Sequence, residues 1–319
     1  MALDHTVPIH SGKPMKNSKI KNTWKYLKKS WILYLFVLPP IIYLLIFDYV
    51  PLYGIQIAFK NFRPAQGIWG SKWVGFAHFK TFFESYHFWS LLKNTLILSL
   101  YSLIAGFPIP IILALLLNHC RFPKLKKSLQ TITYAPHFIS TVVFCGMIFM
   151  FLSVDGIVNH FLGFLGIDPI IFMSKAEYFR HIYVWSGVFK GMGWSSIIYI
   201  ATLASVSPDL HEAALVDGAT KMQRIIHIDL PSIIPTMVIL LILNTGQIMN
   251  VGFEKAFLLQ TPVNLEFSEI ISTYVYKKGI QGAQFSYSAA IGLFNNITNF
   301  ILLTLVNAGA RKANGNSLW

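Results

Sequence analysis

The sequence predicts an all-α membrane protein built on six spanning helices, and three observations lead there. Of its 319 residues, 54% are hydrophobic and only 12% charged, against roughly 25% charged in an average soluble domain. The apolar residues gather into six runs, each near or above the roughly 20 residues that a helix needs to cross a bilayer. Lysine and arginine cluster in alternate connections between these runs.

In chain order the predicted spans are residues 31–50, 95–117, 128–152, 182–206, 233–252 and 286–308. Four contain no Asp, Glu, Lys or Arg; the first has Asp48 near its end and the fourth has Lys190. The first span reads as a retained anchor, because thirty mostly polar residues precede it and no small-residue cleavage site follows. Pro39-Pro40, Pro108, Pro110 and Pro136 fall inside apolar runs. Membrane helices tolerate proline where neighbours satisfy the freed carbonyl, so these kinks suit helices around a path and ordinary packing equally. The organisation expected is a basic tail over 1–30, a helical domain over 31–310 and a short tail over 311–319.

The net charge is +13, from 26 basic and 13 acidic residues. Alone, that balance suggests nucleic acid or an anionic surface. Resolved by span, it orients the chain instead. Seven lysines of the tail, then Arg121, Lys124, Lys126, Lys127, Lys221, Arg224, Arg311 and Lys312, fall on one side. The positive-inside rule therefore predicts both termini in the cytoplasm, and no nucleic-acid partner. The first outer connection holds Lys60, Arg63, Lys72 and Lys80, so the tail and the short connection after span two decide the orientation.

The connection 207–231, between spans four and five, reads as two short helices. Ser207 suits the N-cap, Pro208 the first helical position, and Asp209 the positive helix end. Gly218 suits the left-handed residue after the helix. A second helix is expected from Ala219 to His227, with Pro231 limiting it. Asp209, Glu212, Asp217 and Asp229 make this connection acidic on an otherwise basic face. It is either a docking element for a basic partner or an amphipathic pair lying at the interface.

Glu212-Ala213-Ala214, three residues, Gly218, nine residues, Ile228, one residue, Leu230-Pro231 resembles the EAA loop of ABC importer permeases. Its place between two spans on the predicted cytoplasmic side agrees. The stretches from Trp73, Phe88, Asn250 and Ile271, and the ending Asn316-Ser-Leu-Trp319, are similar to the carbohydrate (maltose-type, LplB-like) branch of binding-protein-dependent inner membrane components. The resemblance covers nearly the whole chain. It implies a type I ABC importer permease fold in a bacterial plasma membrane, with alternating access as the mechanism. It also implies that 207–231 is a coupling segment seated in a cleft of an ATPase dimer. There Glu212 would pair with a basic residue, Ala213 and Ala214 would allow close approach, and Gly218 would make the bend. Asp217, Leu230 and Pro231 belong to the same segment.

No GxxxxGK[ST] phosphate loop occurs. The resemblance places ATP and magnesium on the partner ATPase, leaves no cofactor on this chain, and adds a second permease subunit and an outer solute-binding protein. No catalytic or metal-binding constellation stands out, and Cys120 and Cys145 read as structural. The expected cargo is an oligosaccharide. An amino acid or peptide importer and a membrane-embedded glycan enzyme are the alternatives.

Sugars are held by amides, hydroxyls and aromatic faces, while polar side chains in a bilayer are costly unless partnered. Asn244, Gln247 and Asn250 recur every three residues in span five; Asn295, Asn296 and Asn299 cluster in span six. Either set lines a substrate path or serves interhelical hydrogen bonds. Lys190 reads as snorkelling outward. The aromatics of the first outer connection read as covers for helix ends more than as a receptor for the binding protein.

Overall fold

The computed structural model describes residues 29–314, with side chains as far as residue 312. Most of the basic tail and the last residues therefore lie outside the described residues. Helix dominates what is described; the strands form one short antiparallel ribbon, Lys60–Asn61 against Lys72–Trp73.

The chain divides after Gln56 into two units. The first holds α1 (Trp31–Leu44), in which Pro39 and Pro40 are accommodated without a break. A π turn at Leu45–Tyr49 follows. The second unit holds α2 (His87–Gly106), α3 (Pro108–Asn118), α4 (Pro123–Tyr134), α5 (Thr141–Phe151) and α6 (Tyr178–Ala204). It continues with α7 (Pro208–Val216), α8 (Lys221–Arg224), α9 (Leu230–Thr245), α10 (Phe253–Leu259), α11 (Ile271–Tyr276) and α12 (Phe285–Asn314).

Four helical runs are long and apolar enough to cross a membrane: Trp31–Phe59, His87–Asn118, Lys221–Thr245 and Phe285–Lys312. They answer the first, second, fifth and sixth expected spans. The third is not a straight helix, because Pro123–Phe138 and Thr141–Phe151 meet at 103°. The cause is local. Pro136 lies in a 3-10 turn, Ile139 is extended, and Ser140 starts a new helix by accepting from the Val143 N–H at 3.3 Å. The fourth is α6, unbroken over 27 residues. Lys190 and its Gly, Ser and Trp residues leave it less apolar than the other four.

α6 is the common element of two hydrophobic clusters. Phe179, Val184 and Val188 pack with Leu98, Phe144 and Leu259, while Tyr199 and Leu203 pack with Ala114 and Ile233. A third cluster joins Phe82, Phe88, Met249 and Ile291. The aromatics of the connection between the first two expected spans are thereby divided: Phe82 is buried, whereas Trp69 and Trp73 are exposed.

The second half of the connection after α6 departs from expectation. Pro231 does not end a helix, since Lys221–Thr245 is one continuous run of 25 residues. A π turn at Ile225–Asp229 precedes the proline, and the Leu230 N–H reaches back five residues to the Ile225 carbonyl. Widening that turn moves the carbonyl four residues back clear of the proline ring, the usual source of the clash. The same device recurs at Leu45–Tyr49, two residues before Pro51.

Candidate functional site

Two sites stand at the two ends of the Lys221–Thr245 helix. At the first, Ser207 caps α7 by accepting from the Asp209 N–H at 3.3 Å. α7 ends in a tight turn where the Ala219 N–H reaches the Ala214 carbonyl at 2.8 Å. Gly218 there has φ +79° with open space around its Cα, so backbone conformation, not crowding, calls for glycine. Thr220 then opens α8 with a reciprocal capping box. Its Oγ1 accepts from the Gln223 N–H at 3.3 Å while its own N–H donates to Gln223 Oε1 at 2.7 Å. The result is a helical hairpin that carries Glu212, Ala213 and Asp217 exposed, with Ala214 and Leu230 half-buried and Pro231 exposed. Leu210, Leu215 and Val216 are exposed beside them, Val216 at 88%. Charged and apolar groups thus share one uncovered surface.

Asp229 belongs to a different environment from the other acids of this connection. It is fully buried, with Oδ2 2.6 Å from His119 Nε2 and Oδ1 3.4 Å from His211 Nε2. Only the first contact has hydrogen-bond geometry. Lys221 Nζ donates to the His119 carbonyl at 3.2 Å. Through these contacts the hairpin is tied to the end of α3 and to the start of the long helix. The acidic surface expected from four residues is made by three, Asp209, Glu212 and Asp217. No spacing rule pairs Asp229 with a histidine 110 residues earlier, so sequence reasoning had no signal for it.

At the other end, α9 stops at Thr245 and the chain unwinds through residues 246–252. Asn244, Gln247 and Asn250 are brought together by this unwinding, not by a shared helix face. They line a cavity of about 310 Å³ with Ser99, Ser102 and Tyr183. Irregular backbone at membrane depth is tolerated where it lines a cavity. Asn250 Nδ2 donates to Gln247 Oε1 at 2.9 Å.

The span-six asparagines hold this turn from behind. Asn295 Nδ2 donates to Asn250 Oδ1 at 2.8 Å, and Asn299 Oδ1 accepts from the Met249 N–H at 2.9 Å. The Ser99 hydroxyl donates to the Ile248 carbonyl. Asn295 and Asn299 are buried, whereas Asn296 is exposed and apart from the cavity lining. An adjoining lobe of about 280 Å³ is lined by Gly187, Gly191 and Lys255 and shares Ser102, Gly106, Tyr183 and Ser195 with the first. Lys255 was missed from sequence because it lies outside every expected span. Among the described residues no group of His, Cys, Asp or Glu is arranged to hold a metal ion.

Residues 96–312 match the family described as binding-protein-dependent transport system inner membrane component. The chain belongs to this family. The permease is 44% identical over 93% of both chains to the polygalacturonan/rhamnogalacturonan transport system permease protein YteP of Bacillus subtilis (strain 168). It is 41% identical to Protein LplB of the same organism, over 96% of this chain and 97% of that one. Among solved structures it superposes on a chain of a bacterial ABC transporter that imports the acidic polysaccharide alginate. That match has TM-score 0.85 and 43% identity over 92% of the permease and 99% of the other chain. The permease also superposes, with TM-score 0.85 and 42% identity over 92% of its length and 99% of the other chain, on a chain of a bacterial alginate ABC transporter solved in complex with an alginate pentasaccharide-bound periplasmic protein. The family expected from the EAA loop and the LplB-like stretches is therefore the family found.

Proposed function

We propose that the permease forms one half of the membrane pathway of an ATP-driven oligosaccharide importer. One observation carries the reading: a single helix starts at an exposed hairpin bearing Glu212 and Gly218 and ends at a polar cavity. At about 1.5 Å per residue that helix is about 37 Å long, enough to join the two faces of a bilayer.

Six spans serve the reading. They are the four apolar runs, the bent pair α4–α5, and α6, whose 27 residues reach about 40 Å. Both termini and the hairpin face the cytoplasm. Glu212, Ala213, Ala214, Asp217 and Gly218 dock in a cleft of a separate ATPase dimer that holds ATP and magnesium, and Leu230 and Pro231 begin the rigid helix behind them. A second permease subunit completes the pathway, and a solute-binding protein delivers the cargo from outside. The printed activities of the relatives, polygalacturonan or rhamnogalacturonan transport and alginate import, support a sugar cargo. Closure of the ATPase dimer moves the hairpin, the helix transmits the movement, and the Gln247–Asn250 turn changes its presentation to the cavity.

The test is Glu212→Lys in the complete complex reconstituted in proteoliposomes. The variant is expected to insert in the membrane normally while substrate-stimulated ATP hydrolysis and uptake are lost. Full retention of both would overturn the coupling role.

A further inference from the structure

Resting on the importer reading above, we infer that the cavity recognises a negatively charged cargo, an oligosaccharide bearing uronic-acid carboxylates, through Lys255, which lines it, with Lys190 adding positive charge from behind the Phe144 ring and lining neither lobe. Lys190 lies near the middle of α6, about 18 Å from its start and about 21 Å from its end at 1.5 Å per residue. Its Nζ lies 3.4 Å from Thr141 Oγ1 and 5.3 Å from the centroid of the Phe144 ring. Lys255 Nζ stands 6.0 Å from the same ring. It donates to the Tyr183 carbonyl at 2.5 Å and lies 4.5 Å from the Tyr183 ring centroid. Two lysine amines therefore flank one phenylalanine, and burial, with Lys190 nearby, pushes the Lys255 pKa down to about 7, so an anion beside it would favour its charged form.

α6 makes room for one of them. A Cβ at Gly187 would come within 3.1 Å of Lys255 Nζ, so glycine at that position clears the space the ammonium occupies.

Neither lysine has a carboxylate partner. The ion pairs among the described residues are Lys80–Glu84, Lys277–Glu269 and the two histidine contacts to Asp229. Glu254 is exposed and pairs with neither lysine, and no Asp or Glu lines either lobe of the cavity. Two like charges held close in a poorly solvated place repel, and each is costly there without a counter-ion. A neutral sugar would be served by Asn244, Gln247 and Asn250 alone and would leave Lys255 unmatched. A carboxylate on the cargo supplies the missing anion. The relatives transport polygalacturonan and alginate, the latter named as acidic, which fits the same chemistry.

The experiment uses the full complex in proteoliposomes with its solute-binding protein, whose loading is measured for each probe. The probes are tetragalacturonate and its fully methyl-esterified form, with uptake expressed per loaded binding protein. A charge-assisted contact contributes about 1.5–3 kcal/mol, so Lys255→Met should lower galacturonate uptake at least about ten-fold relative to the ester. Lys255→Arg should restore most of the loss, and Lys190→Met should act in the same direction. Equal change for both probes, or no change in any variant, would overturn the charge-reading role while leaving the importer reading intact. A wild-type complex that moves neither probe from a loaded binding protein would overturn both. Should Lys255→Met fail to assemble, Lys190→Met and Lys255→Arg decide by the same ratio.

Discussion

The two ends of the Lys221–Thr245 helix are fixed by different kinds of interaction. At its start, neighbours in sequence do the work. Ser207, Gly218, Thr220 and Gln223 form caps and a turn whose bonded partners lie within a few residues of each other in every case, with Asp229 anchoring the whole to α3. At its end, residues 246–250 are held by Asn295, Asn299 and Ser99, which lie 45, 50 and 149 residues away. A docking surface must keep one shape to fit a partner, and local caps provide that. A cargo site must assemble from several helices, because only their mutual arrangement makes a cavity.

Breaking the first end at its anchor should have the larger effect. Asp229→Ala removes a fully buried carboxylate that faces two histidines. Breaking a buried pair costs about 3–5 kcal/mol, so the variant should show markedly lowered thermal stability and poor recovery of the complex by size-exclusion chromatography. Near-normal melting would mean that the hairpin needs no anchor. At the second end, Asn299→Ala leaves the Met249 N–H unpaired at a cost of about 1–3 kcal/mol. The complex should still assemble, with lower affinity for delivered cargo; a loss as large as that of Asp229→Ala would erase the distinction between the two ends. The smallest effect is expected from Gly218→Ala. An alanine at positive φ costs about 1–2 kcal/mol, confined to the hairpin turn, so stimulation of ATP hydrolysis should fall further than melting temperature does. The reverse order would show that this turn stabilises the bundle and has little part in docking.

What could be read from the sequence follows the same division. Four spans, the Ser207 cap and the Gly218 turn were legible because hydropathy and capping are properties of adjacent residues. The right-angled break in span three was not, since Pro136 signalled a kink and only Ser140, capping a new helix, turns it into a corner. Pro231 reads as a stop because proline usually is one, and the π turn that absorbs it leaves no composition signal. The spacing of Asn244, Gln247 and Asn250 predicts one helical face, but the helix ends at Thr245. They still converge, because the chain unwinds there. The contacts of Lys190 with Thr141 and Phe144, 49 and 46 residues earlier, are likewise set by the packing of two helices and have no local signal. The burial of Asp229 depends on His119 and His211, and nothing local announces it.

The π turn at Ile225–Asp229 has a consequence for spacing. It holds one residue more than an α-helix would use over the same rise, so the hairpin and the cavity end are set out of phase. Each residue of an α-helix turns the axis by about 100°. Deleting one residue from this turn would keep every docking side chain present and aim the whole hairpin in another direction. The interval from Gly218 to Pro231 is therefore a requirement of angle, and it binds even at positions whose side chains touch nothing.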